Sequence, residues 1–239
     1  MKQLILLICF PLQVVCQNTI GFPDIINYPK QSYKAGLQNW DIKQDKNGIV
    51  YFANNEGLLS FDGKYWNNHP LPNKTNVRSV EIGPANRIYV GGQDELGYFA
   101  PAANGRLLYY SLIEQIAAKD RSFGDVWDIV AFKGNIYFRS PKKIFKFTDR
   151  AVAVFNAPSE WDFLGECNGK LFAHDYAAGL LVFENDIWAP VFTENILPVN
   201  DPVTGIISIQ KDSAIITTLK NGLFLLSDTR IAVLTSVNN

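Results

Sequence analysis

Short apolar runs alternate with polar, turn-forming clusters along most of the chain, and beyond residue 39 the alternation recurs in five units. Each unit opens on one run: Trp40-Asp41-Ile42, Arg78-Ser79-Val80, Trp127-Asp128-Ile129, Trp161-Asp162-Phe163 and Gly205-Ile206-Ile207. Roughly ten residues later comes a second run, containing Tyr51-Phe52, Tyr89-Val90, Tyr137-Phe138, Phe172-Ala173 and Ile216-Thr217. A third is centred on Phe61, Phe99, Phe147, Phe183 and Leu226. A repeat of about 35 to 50 residues built from several short strands predicts the blades of a propeller.

The turn chemistry supports that reading. In the first unit Asn47-Gly48, Asn54-Asn55-Glu56-Gly57 and Asp62-Gly63 separate four short apolar segments. Asn-Gly and Asp-Gly supply the positive φ that tight hairpins require. Four antiparallel strands and three tight turns make one blade. Gly57-Leu58-Leu59-Ser60-Phe61, Gly179-Leu180-Leu181-Val182-Phe183 and Gly222-Leu223-Phe224-Leu225-Leu226 are near copies. Phe61-Asp62 precedes Trp66 at the offset at which Phe183-Glu184 precedes Trp188. The expected fold is all-β, a β-propeller with blades over 39–76, 77–124, 125–160, 161–202 and 203–239, preceded by an extension over 17–38. One connection departs from the rhythm. Ser111 to Lys119 reads as a short helix capped by Ser111 with Glu114 at the capping-box position, an excursion between blades that could cover a site.

Composition narrows the function classes. The 239 residues are 47% hydrophobic and 13% aromatic, enough for a substantial core. Net charge is −1 with no basic stripe, which argues against nucleic-acid binding by this segment. Met1-Lys2 followed by the apolar Leu4 to Leu12 predicts a cleaved secretory signal over 1–16, too short to span a bilayer, with a lipidated Cys16 behind the poor lipobox Gln13-Val14-Val15 as the alternative. Cleavage after Cys16 leaves Cys167 alone in the mature domain, without an internal disulfide. No later stretch has the roughly eighteen apolar residues of a membrane helix.

Candidate chemistry lies where the units begin. Trp40, Trp127 and Trp161 read as equivalent positions near a central channel, where an indole could stack on a sugar ring or pack one blade on the next. Packing is the default, since recurrence is what a structural repeat demands. Asp41, Asp128 and Asp162 follow them and could bind a cation or sugar hydroxyls, or accept backbone N–H groups of a neighbouring turn. Gln93 and Asp94 lie in a glycine-rich hairpin without phosphate-binding spacing. The only histidines, His69 and His174, fall in different units with no metal-ligand spacing, and no G-x-S-x-G nucleophile elbow occurs. Neither a catalytic residue, a metal site nor a cofactor is therefore assigned.

Several motifs together suggest a family. Tyr33, Gln38, Trp40, Ile42, Asp45, Gly48 and Tyr51-Phe52-Ala53-Asn54 are followed by Gly57-Leu58-Leu59 and Phe61-Asp62-Gly63. With Arg78-Ser79-Val80, Tyr89 to Phe99 and Gly124 to Trp127, they resemble the two-component-regulator propeller family. The resemblance is strong from about Ile20 to Phe138 and weaker beyond. It implies an exported, periplasmic sensor propeller of a hybrid histidine kinase or helix-turn-helix transcriptional regulator. It also implies an oligosaccharide ligand and a possible homodimer through the full-length regulator. The expected ligand-contacting set is Trp40, Asp41, Arg78, Gln93, Asp94, Trp127, Asp128, Trp161 and Asp162. Family rings usually have seven blades and continue into a sandwich, a membrane helix and an output module, so this chain is expected to be an incomplete ring. Open edges would then favour self-association. A propeller lyase or glycosidase, and a protein-interaction scaffold, are the alternatives.

Overall fold

The computed structural model describes residues 21, 25–192, 197–198, 200–227 and 230–234. The expected signal segment, with Cys9 and Cys16, lies outside them. Five four-stranded antiparallel sheets form, each a simple up-and-down meander. Blade one comprises β1 (Asn39–Gln44), β2 (Val50–Asn54), β3 (Gly57–Phe61) and β4 (Trp66–His69). Blade two comprises β5 (Val77–Ile82), β6 (Ile88–Gly92), β7 (Glu95–Pro101) and β8 (Leu107–Ser111). Blade three comprises β9 (Asp128–Phe132), β10 (Asn135–Arg139), β11 (Lys143–Phe147) and β12 (Val152–Asn156). Blade four comprises β13 (Trp161–Cys167), β14 (Lys170–Asp175), β15 (Gly179–Glu184) and β16 (Ile187–Pro190). Blade five comprises β17 (Val203–Gln210), β18 (Ser213–Thr218), β19 (Leu223–Ser227) and β20 (Ile231–Val233).

The hairpins close as their residues dictate. Between β13 and β14, Asn168 and Gly169 take φ of 52° and 71°, the paired positive values of a two-residue turn that follows strand twist. Gly57, at φ 132°, opens β3 where a Cβ would sit 2.5 Å from the His69 carbonyl oxygen, so no larger residue fits.

Four apolar clusters sit between successive blades. Tyr51, Leu58, Val80 and Phe99 join blades one and two, and Leu96, Ile129, Phe138 and Phe145 join two and three. Tyr137, Ile144, Leu164 and Leu181 join three and four, and Phe172, Leu180, Ile216 and Phe224 join four and five. Each sheet therefore gains its stability from its neighbours, as in other repeat folds. The inner strands β1, β5, β9, β13 and β17 contact one another in that order, and the blades form an open arc rather than a closed ring.

The two ends of the arc differ. Blade one's outer face carries Phe61 and Trp66, and Tyr28 packs on both rings at 5.1 and 5.3 Å while Tyr33 meets Trp66 at 5.7 Å. Tyr28 lies just ahead of a single turn, α1 (Lys30–Tyr33), which carries Tyr33. Blade five leaves Ile207 and Ile209 58% and 49% exposed.

The helix expected over Ser111 to Lys119 does not form. Two 3₁₀ turns, Ile113–Gln115 and Ala118–Asp120, stand in its place. Ser111 still belongs to β8: its hydroxyl donates to Glu95 Oε1 at 2.7 Å, and the Leu112 N–H donates to the Leu96 carbonyl. Leu112, Ile116 and Phe123 are then drawn into the core between blades two and three. The excursion is a packing wedge, not a cover over a site.

Candidate functional site at the mouth of the channel

The strand register decides which residues share a position. In β1 Asn39 pairs with Asn54 and Asp41 with Ala53, which leaves Trp40 as a bulge. In β5 the same shift leaves out Arg78, in β13 Asp162, and in β17 Thr204. Trp127, just ahead of the Asp128–Arg139 pair, takes the corresponding place in blade three. A bulge turns its side chain out of the regular pleat, so these five residues line one end of the arc.

Three of them meet. The Arg78 guanidinium lies over the Trp40 ring at 4.2 Å and the Trp127 ring at 5.2 Å, and the two indoles stand edge to face at 5.7 Å. Trp40 and Trp127 remain 42% and 36% exposed, large values for indoles held so firmly. Arg78 Nε is 3.4 Å from Asp125 Oδ2, an ion pair misaligned for a hydrogen bond. Buried Asn76 Oδ1, Arg78 Nε and Asp125 Oδ1 accordingly have no hydrogen-bond partner among the described residues. Buried polar atoms are nearly always satisfied, so three such atoms at one mouth are sites a ligand or water could complete.

The aspartates divide between two tasks. Asp41 Oδ2 accepts the Val80 N–H at 3.0 Å, and Asp128 Oδ2 accepts the Leu164 N–H at 2.9 Å, so each ties its blade to the next. Asp128 Oδ2 also accepts from Arg139 Nε at 2.8 Å, and Arg139 Nη1 donates to the Trp161 carbonyl. Asp162 instead pairs with His174 Nδ1 at 2.8 Å, nearly buried. Burial pushes the Asp162 carboxyl above its ordinary pKa, opposed by His174. Asp94 Oδ1 accepts the Phe123 and Gly124 N–H groups, both at 2.7 Å, and Gln93 bridges to Asp125. Both hold the loop that leads into blade three.

Trp161 is not equivalent to Trp40 and Trp127. It sits one place earlier in the register, opposite Asp175, and is 2% exposed against Trp188 at 5.7 Å. Arg139 and His174 were not expected at the site. Their only sequence signal is a large polar side chain opposite the inner-strand position where Ala53, Gly91 and Thr217 stand in the other blades. Among the described residues no three His, Cys, Asp or Glu groups are placed to hold a metal ion.

No family model and no curated protein matches this chain. Solved structures do. The extracellular domain of a hybrid two component system of B. thetaiotaomicron aligns with TM-score 0.63 and 16% identity over 83% of this chain. A catalytically inactive virginiamycin B lyase of Staphylococcus aureus with quinupristin aligns with TM-score 0.66 and 14% identity over 90%. The WD40 propeller domain of Doa1 gives 0.59 and 16% over 82%. The fold is a β-propeller. The chain spans 27% of the B. thetaiotaomicron domain and 74% of the lyase. The B. thetaiotaomicron domain is a protein of the kind to which the motif resemblance points. No helix among the described residues is long and apolar enough to cross a membrane.

Proposed function

We propose that this propeller is the non-catalytic, ligand-sensing part of an exported receptor in the periplasm, and that it reads a glycan fragment at the channel mouth. The observation that carries the reading is the Arg78 guanidinium held between two partly exposed indoles. Indole faces bind the apolar C–H face of a sugar. The guanidinium donors and the unpartnered Asn76 and Asp125 oxygens suit hydroxyls, which both donate and accept. The fold likeness to an extracellular two-component domain supports a sensor over an enzyme, and the lyase likeness keeps turnover as the outcome to test against.

Signal would leave the site through the blade junctions. Trp40 and Trp127 are chain neighbours of Asp41 and Asp128, whose carboxylates hold Val80 and Leu164 of the next blades. A ligand that moves either indole thereby acts on inter-blade packing, and in a dimeric receptor on its geometry. Isothermal titration with neutral and acidic oligosaccharides, with tryptophan emission read in parallel, tests this. Saturable heat with a change in emission, lost in Trp127→Ala, is the expected result. No saturable heat across the panel removes the glycan reading, and product formation from any of the sugars replaces sensing with catalysis.

A further inference from the structure

A second site lies at the opposite end of the blades. β1 runs from the channel mouth to its turn at Asp45, so the β1–β2, β3–β4, β5–β6 and β7–β8 turns gather at the far face. Between blades one and two they enclose a cleft of about 670 Å³, within the range of small-molecule sites. We propose that this cleft binds a neutral polyhydroxylated ligand of one or two sugar rings, independently of the channel mouth.

The lining carries the argument. Ile49, Ile88 and Leu107 supply apolar surface, and Asp45, Asp62, Asn67, Asn86 and Arg106 supply donors and acceptors around it. Two of these carboxylates are preset. Asp45 Oδ1 accepts the Asn47 and Ile49 N–H groups, and Asp62 Oδ1 accepts those of Lys64 and Tyr65. Both side chains are thus fixed by backbone donors, and the Tyr51 phenol stands beside the Asp45 carboxylate as well. A ligand meets them with little ordering cost, which is the advantage of a preorganised site.

The wall is polar in depth. Buried Ser60 lies with its Oγ 3.1 Å from His69 Nε2, and both residues line the cleft. Burial lowers the His69 pKa, so the ring is neutral at neutral pH and offers one donor and one acceptor. With His69 neutral, two carboxylates face one guanidinium, a balance that repels phosphate and carboxylate ligands. Hydroxyls match it, since each can donate to Asp62 or Asp45 and accept from Arg106 or an amide. The corresponding cleft between blades four and five, about 470 Å³, presents instead Lys170, Lys211, Glu184, Asp212 and the buried Cys167. It shares the position and not the chemistry.

His69 and His174 are the only histidines; the His69 ring lines this cleft and His174 pairs with Asp162 at the mouth, so their imidazole resonances distinguish the two sites. The probes are maltose, lactose, cellobiose and xylobiose, titrated into the intact protein. A saturable shift of the His69 resonance is expected from at least one of them, with the dispersed backbone amide spectrum of the native fold as the check on folding. Asn67→Ala and Arg106→Ala, both at exposed positions, should each weaken that binding about tenfold. Trp127→Ala should leave it unchanged. A His69 resonance unmoved by all four sugars, or a shift that survives intact in both variants, overturns the assignment. Binding only at the channel mouth would quench tryptophan emission with His69 still, so the two sites fail separately.

Discussion

At the start of adjacent blades the same dipeptide, Trp-Asp, is set one position apart in the fold. In Trp127-Asp128 the indole stands just ahead of the first pair of β9, in the place the bulge residue takes in other blades, partly exposed beside Arg78, and the carboxylate ties blade three to Leu164 of blade four. In Trp161-Asp162 the indole is core and the carboxylate is the bulge residue, paired with His174. The connections explain the shift. Between blades two and three the linker brings Leu112, Ile116 and Phe123 into the interface, so small Val126 suffices at the first position. Between blades three and four the linker is Ala157-Pro158-Ser159-Glu160, which brings only Ala157, and Trp161 fills the space. Filling a core outranks keeping a repeat in phase.

The sharpest way to break that comparison is Trp161→Ala against Trp127→Ala. Removing a buried indole leaves a cavity, and a loss of about 4 kcal/mol is expected for Trp161→Ala. Trp127→Ala should cost under about 1 kcal/mol, since part of its surface is already in water. Urea unfolding of the two variants decides it. Equal losses would mean that the two tryptophans are equivalent after all.

Asp128→Ala comes next. It strips the partner from Arg139, whose side chain is 7% exposed, and frees the Leu164 N–H in one step. An unpaired buried guanidinium costs about 3 kcal/mol. The double variant Asp128→Ala with Arg139→Leu should recover much of the loss, because the charge goes with its partner. No recovery would place the cost in the lost blade junction instead.

The five blades were legible in the sequence because hairpin chemistry and two-residue alternation are local. Asn168-Gly169 must turn wherever it stands, and Gly57 has no substitute against His69. The phase of each inner strand was not legible, since a bulge is placed by what packs beneath it rather than by its own residues. Trp161 therefore looked like a third copy of Trp40. The Ser111 to Lys119 reading failed for the same reason: capping residues are local, but the pull on Ile116 and Phe123 is tertiary. At the candidate site, Trp40, Arg78 and Trp127 could be aligned from the repeat alone. That the guanidinium lies between the rings depends on how tightly the arc curves, which no single unit encodes.

Asp41→Ala sharpens the comparison from the other side. Asp41 occupies Asp128's position and performs the same junction bond to Val80, but it has no buried cation to neutralise. The expected loss is about 1 kcal/mol, the worth of one charge-assisted hydrogen bond near the surface. Thermal melts of Asp41→Ala and Asp128→Ala should differ accordingly. If Asp41→Ala proves as damaging, the junction bond rather than the Arg139 pair governs both.

The smallest effect is one of sign, and it contrasts the two aspartates of blade four. Burial raises the Asp162 carboxyl above its ordinary value near 3.8. Burial would also raise Asp175, but N–H donors from Ala178, Ser159 and Ala177 outweigh it and hold that carboxyl below 3.8. A raised carboxyl binds its proton more tightly in the native state, so its contribution to stability grows as pH falls from the raised value toward 3.8. A lowered carboxyl contributes fully above 3.8 and loses that contribution as pH falls through its folded value. Against Asp162→Asn, the natural protein should therefore gain relative stability on acidification through the weakly acidic range. Against Asp175→Asn, it should lose relative stability below pH 3.8. Melting temperatures of the three proteins across that range provide the measurement. Slopes of the same sign would mean that the Asp162 carboxyl is lowered like that of Asp175, its pairing with His174 outweighing burial.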